Sequence, residues 1–206
     1  MSILRPSTTA IIFDIGNVII DIDYEAVATA FRQIAVVDFS PIVSYKHQAY
    51  FFDQFEKGEI TVAAFRTALR PYLKPTTTDA EIDHAWNAIF TAFPTVKFEW
   101  LLSLKSQYRT FALSNINEIH LTFIDDYLRQ QFCTRLCDYF HHAYYSHEMG
   151  YRKPEPEIYE LLLQQEQLKP SSCLFIDDKA ENIAAAAQLG LQVLHLADGD
   201  SLLSYF

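Results

Sequence analysis

Short apolar runs alternate with helix-like stretches along most of this chain, and the runs stop abruptly at polar residues. Residues 9–13 (TAIIF) stop at Asp14, 110–113 (TFAL) at Ser114, and 172–176 (SCLFI) at Asp177 and Asp178. Two further runs lie at 191–196 (LQVLHL) and 142–146 (HAYYS). Apolar runs of this length without polar alternation fit strands buried on both faces. Between them, 94–107, 156–168 and 180–189 read as helices, the second opened by Pro154 and Pro156 and the third stopped by Gly190. Strands that alternate with helices predict an α/β fold, a parallel sheet covered on both faces. Ligands of such sheets bind at the carboxyl ends of the strands, where Asp14, Ser114 and the Asp177-Asp178 pair fall.

The segment 21–90 breaks the rhythm. It carries helical patterns (YEAVATAFRQIAVV, TVAAFRTALRPYL), a turn-like KGE at 57–59 and no convincing strand. A structureless connection of that length does not suit a compact domain. The expected organisation is therefore a core of residues 1–20 and 91–206 with a small helical cap at 21–90. The Tyr/Phe-rich piece at 45–55 reads as cap core, and side chains there are candidates for setting specificity. A length of 206 residues suits one good core with an inserted lobe.

Charge and cysteine usage narrow the partners. Lys and Arg total 16 against 26 Asp and Glu, a formal charge of −10, so no nucleic-acid partner is expected. The first apolar stretch is interrupted by Asp14 and Asn17, which excludes a membrane span or signal peptide there. Three cysteines without a metal-type pair fit a reducing, cytoplasmic setting. Cys173 reads as buried; Cys133 and Cys137, four apart, would share a helix face. The seven histidines match no metal-ligand pattern, and the adjacent His141-His142 reads as a loop or strand end.

Four patches then line up in order: FDIGNVI (13–19), LSN (113–115), RKPEPEIY (152–159) and FIDDKAEN (175–182). Together they resemble the haloacid dehalogenase-like hydrolase superfamily, in its phosphatase branch with a helical cap after the first strand, and the opening is similar to that of sugar-phosphate phosphatases of the α-glucose-1-phosphate type. The resemblance covers essentially the whole chain. It implies a Rossmann-like core and a Mg²⁺-dependent phosphatase acting on a small-molecule phosphate ester. It further implies Asp14 as nucleophile, Ser114 and Lys153 as phosphate binders, with Asn115 assisting, and Asp178 with nearby Asp177 as metal ligands. Gly16 would contribute its backbone carbonyl to the metal and leave room for phosphate. Oligomeric state is left open, a homodimer included.

The residues support this chemistry independently. A phosphate dianion and an aspartate nucleophile repel each other, so attack needs cations around both, which Lys153 and a Mg²⁺ held by carboxylates would supply. Each residue also has a plain structural use. Asp14 could cap a turn, the Asp177-Asp178 pair could cap the next helix, Ser114-Asn115 could be a simple strand exit, and Arg152 reads as a solvated helix entrance. Glu181 and Asn182 either order the acidic site or lie at the surface. The chain departs at Gly16 from most phosphatases of this superfamily, which carry there the aspartate that protonates the leaving alcohol. Asp21 and Asp23 are weak substitutes for it. The competing readings are a metal-independent 2-haloacid dehalogenase and a non-catalytic phosphate-ester-binding relative.

Overall fold

The computed structural model describes residues 4–38, 50–197 and 201–206; positions 45–49 of the aromatic piece lie outside them. Five parallel strands form the central sheet: β1 (Ala10–Phe13), β4 (Arg109–Ser114), β5 (His142–Tyr145), β6 (Cys173–Asp177) and β7 (Gln192–His195), in the order β5-β4-β1-β6-β7. The strand carrying Asp14 at its end is thus central, flanked by the strands that end in Ser114 and Asp177. Phe13 is in register with Ala112 on one side and Ile176 on the other. Three polar strand ends therefore meet at one edge because of strand order, which no local sequence pattern reveals.

Alternate residues of the sheet feed two cores. Ile11, Phe13, Ala112, Leu174 and Ile176 pack on one side, and Ala10, Ile12, Phe111, Leu113 and Phe175 on the other. Both faces are covered, which is why these strands read as continuous apolar runs. The covering helices are α5 (Thr95–Leu104), α6 (Glu118–Phe132), α8 (Pro156–Gln165) and α9 (Ala180–Gln188), with a single-turn α7 (Ser146–Met149) after β5.

The insert contains α1 (Tyr24–Ile34), α2 (Tyr50–Glu56), α3 (Val62–Leu69) and α4 (Asp79–Asn87). They close on their own aromatic core, in which Phe55 stacks on Phe65 with ring centroids 4.2 Å apart. Phe52 and Phe55 belong to that core, as the composition of the aromatic piece suggests. Contrary to the expectation of a strandless segment, the insert joins the sheet domain through an antiparallel ribbon of β2 (Asp21–Ile22) and β3 (Phe90–Ala92). Two residues are too few for a periodicity to register.

Helix α6 is not among the helices predicted from the sequence, although Asn117 caps it and Ile124 and Leu128 sit four apart on its buried face. It ends at Cys133, which is left-handed at φ 56°, and Cys137 lies in a following 3₁₀ turn (Leu136–Tyr139); the two share no helix face.

His142, at the start of the edge strand β5, serves a structural cluster. Glu166, buried just beyond α8, receives Tyr144 Oη at 2.6 Å and also binds His142 and Arg109. Burial alone would raise its carboxyl pKa, but the Tyr144 and His142 hydrogen bonds and the Arg109 charge outweigh it and hold the pKa below the ordinary 4.5. Glu166→Gln is expected to cost about 1–3 kcal/mol near pH 7 in urea unfolding. Because the folded-state pKa is depressed, the wild-type advantage is full above pH 4.5 and shrinks as the pH falls towards the folded value. An unchanged difference between pH 7 and pH 3 would contradict that assignment.

Candidate active site

Asp14 leaves the sheet with its N–H donating to Ile176 O at 2.9 Å, and the chain then turns tightly through Asn17, held in the left-handed region at φ 55°. Asparagine tolerates this conformation better than most residues. Its carboxamide does two jobs: Oδ1 accepts the Ile22 N–H at 3.0 Å, and Nδ2 donates to Asp178 Oδ2 at 3.1 Å. One turn thus joins the nucleophile candidate, the ribbon into the insert and the acidic pair. Asn17 was not among the residues singled out in the sequence; its signal is the polar amide directly after a strand-end Asp-x-Gly.

Lys153 is the electrostatic centre. It is 2 % exposed, and Nζ lies 2.7 Å from both Asp14 Oδ1 and Asp177 Oδ2. Burial disfavours its ammonium, yet the two carboxylates more than offset this and raise the pKa above the ordinary 10.5. Asp14 moves the other way for an acid: burial raises it to about 7, against the pull of Lys153 and with a further push from Asp177 and Asp178. The surrounding residues hold the ion pair in place. Asn115 Oδ1 accepts the Lys153 N–H and its Nδ2 donates to Lys153 O, both at 2.8 Å. The Asn115 carboxamide therefore braces the lysine, and its residue also lines the chamber.

The acidic pair divides its labour. Asp177 is fully buried and accepts the Lys179 N–H at 2.8 Å and Asn182 Nδ2 at 3.0 Å, besides Lys153. Asn182 is thus an internal support and Glu181 an exposed residue, which separates two positions the sequence left open. Among the described residues Asp178 receives Asn17 and Lys179 on Oδ2, which leaves Oδ1 available to a cation. The pair does not provide the side-chain cap of α9, whose capping position is Lys179.

Asp14, Asp177 and Asp178 each offer one oxygen within 4.8 Å of the others. So dense a set of carboxylates around one buried ammonium carries surplus negative charge, and oxygen donors of this kind suit a small hard dication. Gly16 and Ser114 line the same chamber, together with Tyr24 and Glu56 from the insert. A Cβ at Gly16 would come 2.8 Å from Ile22 Cδ1, so the ribbon packs directly over this glycine.

Three positions fall elsewhere than the sequence suggested. Asp21 pairs with Lys97 at 3.1 Å, and Asp23 caps α1 by accepting the Glu25 N–H at 2.8 Å. Neither lines the chamber. Arg152 is no solvated entrance: it reaches up to Asp53 and Glu56 of α2, at 2.8 and 3.0 Å. A second contact between insert and core is built on α6, where buried His120 stacks on Trp86 with centroids 4.8 Å apart; burial lowers the His120 pKa to about 3, so the ring is neutral. Gly58, at φ 70°, brings the insert so near the α7 turn that a Cβ would lie 2.0 Å from His147 O.

Residues 8–190 match the family model described as haloacid dehalogenase-like hydrolase. The chain belongs to the haloacid dehalogenase-like hydrolase family. Among relatives of this family, a D-ribitol-5-phosphate phosphatase from Bacteroides thetaiotaomicron is 29 % identical over 189 residues, covering 92 % of both chains. The crystal structure of a family enzyme from the same organism, in complex with magnesium and inorganic phosphate, superposes with a TM-score of 0.88 at 32 % identity, covering 97 % of this chain and 99 % of that one. A family hydrolase from Porphyromonas gingivalis superposes with a TM-score of 0.88 at 28 % identity, covering 96 % and 95 %. The haloacid dehalogenase-like fold expected from the four motifs is the one found, with the strand-end acids at its carboxyl edge.

Proposed function

We propose that this protein is a Mg²⁺-dependent phosphatase of small phosphorylated sugars or polyols, working through an aspartyl-phosphate on Asp14. The observation that carries the reading is the buried Lys153 ammonium, 2.7 Å from Asp14 and from Asp177, beside a third carboxylate. Such a cluster is electrostatically incomplete until a dication and a phosphoryl group enter. The magnesium and phosphate in the similar family enzyme, and the polyol phosphate named for the similar phosphatase, support the cofactor and the substrate class.

In this reading Asp14, Asp178 and the Gly16 carbonyl hold the metal, with Asp177 alongside. When bound, the metal supplies positive charge to the transferring phosphoryl oxygens. Lys153 neutralises the remaining negative charge and orients Asp14, while Ser114 Oγ holds a phosphoryl oxygen. Asp14 attacks phosphorus in line and the alcohol leaves; water then cleaves the acyl phosphate and frees Asp14. Asn115, Asn182 and Asp177 keep Lys153 in position. The helical insert, over 21–90, covers the chamber and selects the alcohol.

The test is a phosphate-release screen over sugar and polyol phosphates, including ribitol 5-phosphate and glucose 1-phosphate, with Mg²⁺ or with EDTA. Release is expected with Mg²⁺, to fall at least about 100-fold in EDTA and to return on adding Mg²⁺. Metal-independent halide release from a 2-haloacid, with no phosphate release, would instead establish the dehalogenase reading. Tight Mg²⁺-dependent binding of the esters without turnover would establish a binding protein.

A further inference from the structure

An alkoxide leaves phosphorus poorly unless its oxygen gains a proton, so the proposed reaction calls for an acid besides Asp14 in the chamber. Position 16 has no side chain to supply one. Asp177 is consumed by Lys153, Asn182 and the Lys179 N–H, and Asp178 is paired with Lys179 and Asn17. Among the described residues one further carboxyl lines the chamber, that of Glu56 at the end of α2. Its buried Oε2 has no hydrogen-bond partner among the described residues, and Arg152 Nη2 forms an ion pair with it at 3.0 Å.

We propose that Glu56, reaching the chamber from the insert, protonates the leaving alcohol and then activates the hydrolytic water. This rests on the phosphatase reading above. As Asp14 bonds to phosphorus, the P–O ester bond breaks with its electron pair on the leaving oxygen, and the Glu56 proton moves to that oxygen. The alcohol departs and Glu56 is left as carboxylate. It then takes a proton from water while the water oxygen bonds to phosphorus and Asp14 is released, which restores both residues.

The charge arrangement favours that proton on Glu56. Asp53, Glu56 and Glu155 share two cations: Arg152 binds Asp53 and Glu56, and Lys57 binds Glu155 at 2.5 Å and Asp53 at 3.5 Å. Three carboxylates and two cations leave one negative charge in excess. A proton on the member facing the chamber relieves it. Burial raises the Glu56 pKa above the ordinary 4.5, opposed by Arg152 and Lys153 and reinforced by Asp53. The same contacts tie the acid to the core, because Arg152 adjoins Lys153 in the chain while Glu56 belongs to the insert.

The test compares an alkyl phosphate, ribitol 5-phosphate, with an aryl phosphate, 4-nitrophenyl phosphate, whose leaving group needs little protonation. Glu56→Gln is expected to lower kcat/KM by about 10²–10⁴-fold on the alkyl ester and by no more than about tenfold on the aryl ester, with the limb of the pH profile that reports the acid removed. Glu56→Asp, which keeps the acid, should recover most of the alkyl-to-aryl ratio, and it provides the comparison if Glu56→Gln does not fold. Equal losses on both esters, or no loss, would overturn the assignment. So would a selective alkyl-ester loss in Tyr24→Phe, whose phenol also lines the chamber from the insert, with none in Glu56→Gln. An active Asp14→Asn enzyme would overturn the underlying mechanism, whatever Glu56 does.

Discussion

Asp14→Asn is expected to lower phosphate release by about 10⁴-fold or more, on alkyl and aryl esters alike, because in the proposed mechanism its side chain forms the covalent bond. Asn has the same shape and keeps a carbonyl oxygen for Lys153. It also deletes one of three crowded carboxylates, so the variant should fold and be at least as stable as wild type without metal. That separates chemistry from scaffold: thermal unfolding should show an intact protein and a turnover assay an inert one. Rapid acid quenching with a radiolabelled phosphate ester should trap an acyl-phosphate on wild type and none on the variant. Label found on any residue other than Asp14, or turnover within about tenfold of wild type, would remove Asp14 from the nucleophile's position.

What made Asp14 legible in the sequence was its place at the end of a continuous apolar run. The same signal exposed Ser114 and the Asp177-Asp178 pair, and it works because strands buried on both faces leave no room for polar residues until they emerge. Strand order was not legible, since it is fixed by crossover packing, and it alone brings β4, β1 and β6 side by side. Bracing residues were legible only in part. Asn115 stood inside a motif, yet its hold on the Lys153 backbone, 38 positions away, is a tertiary event. Arg152 looked like a surface charge because its partners Asp53 and Glu56 belong to an element about a hundred residues earlier. Glu56 had no motif around it that the sequence reading used, and it acquires interest only when the insert folds over Gly16 and leaves its carboxyl in the chamber.

Lys153→Met should damage both function and fold, which distinguishes it from Asp14→Asn. Methionine matches the length of the lysine stem but leaves Asp14 and Asp177 buried without the ammonium that each contacts at 2.7 Å. Breaking a buried ion pair by removing one partner costs about 3–5 kcal/mol, because the partner charge stays behind. In a domain of this size that lowers the unfolding midpoint by on the order of 10 °C in EDTA. Activity should fall by about 10²–10³-fold or more, since the proposed mechanism relies on this charge to offset the attacking carboxylate and the incoming phosphate. Lys153→Arg is not expected to rescue it: the site offers one small ammonium position between two carboxylates, and a planar guanidinium does not fit such a point. The double variant Lys153→Met/Asp177→Asn tests the electrostatic explanation. If uncompensated charge is the cause, removing one of the stranded carboxylates should return a large part of the stability and none of the activity, giving a coupling energy well above zero in a double-mutant cycle. Additive losses would mean that Lys153 supports the fold by packing against Phe175, whose ring centroid lies 5.6 Å from Nζ, and not by balancing the acids.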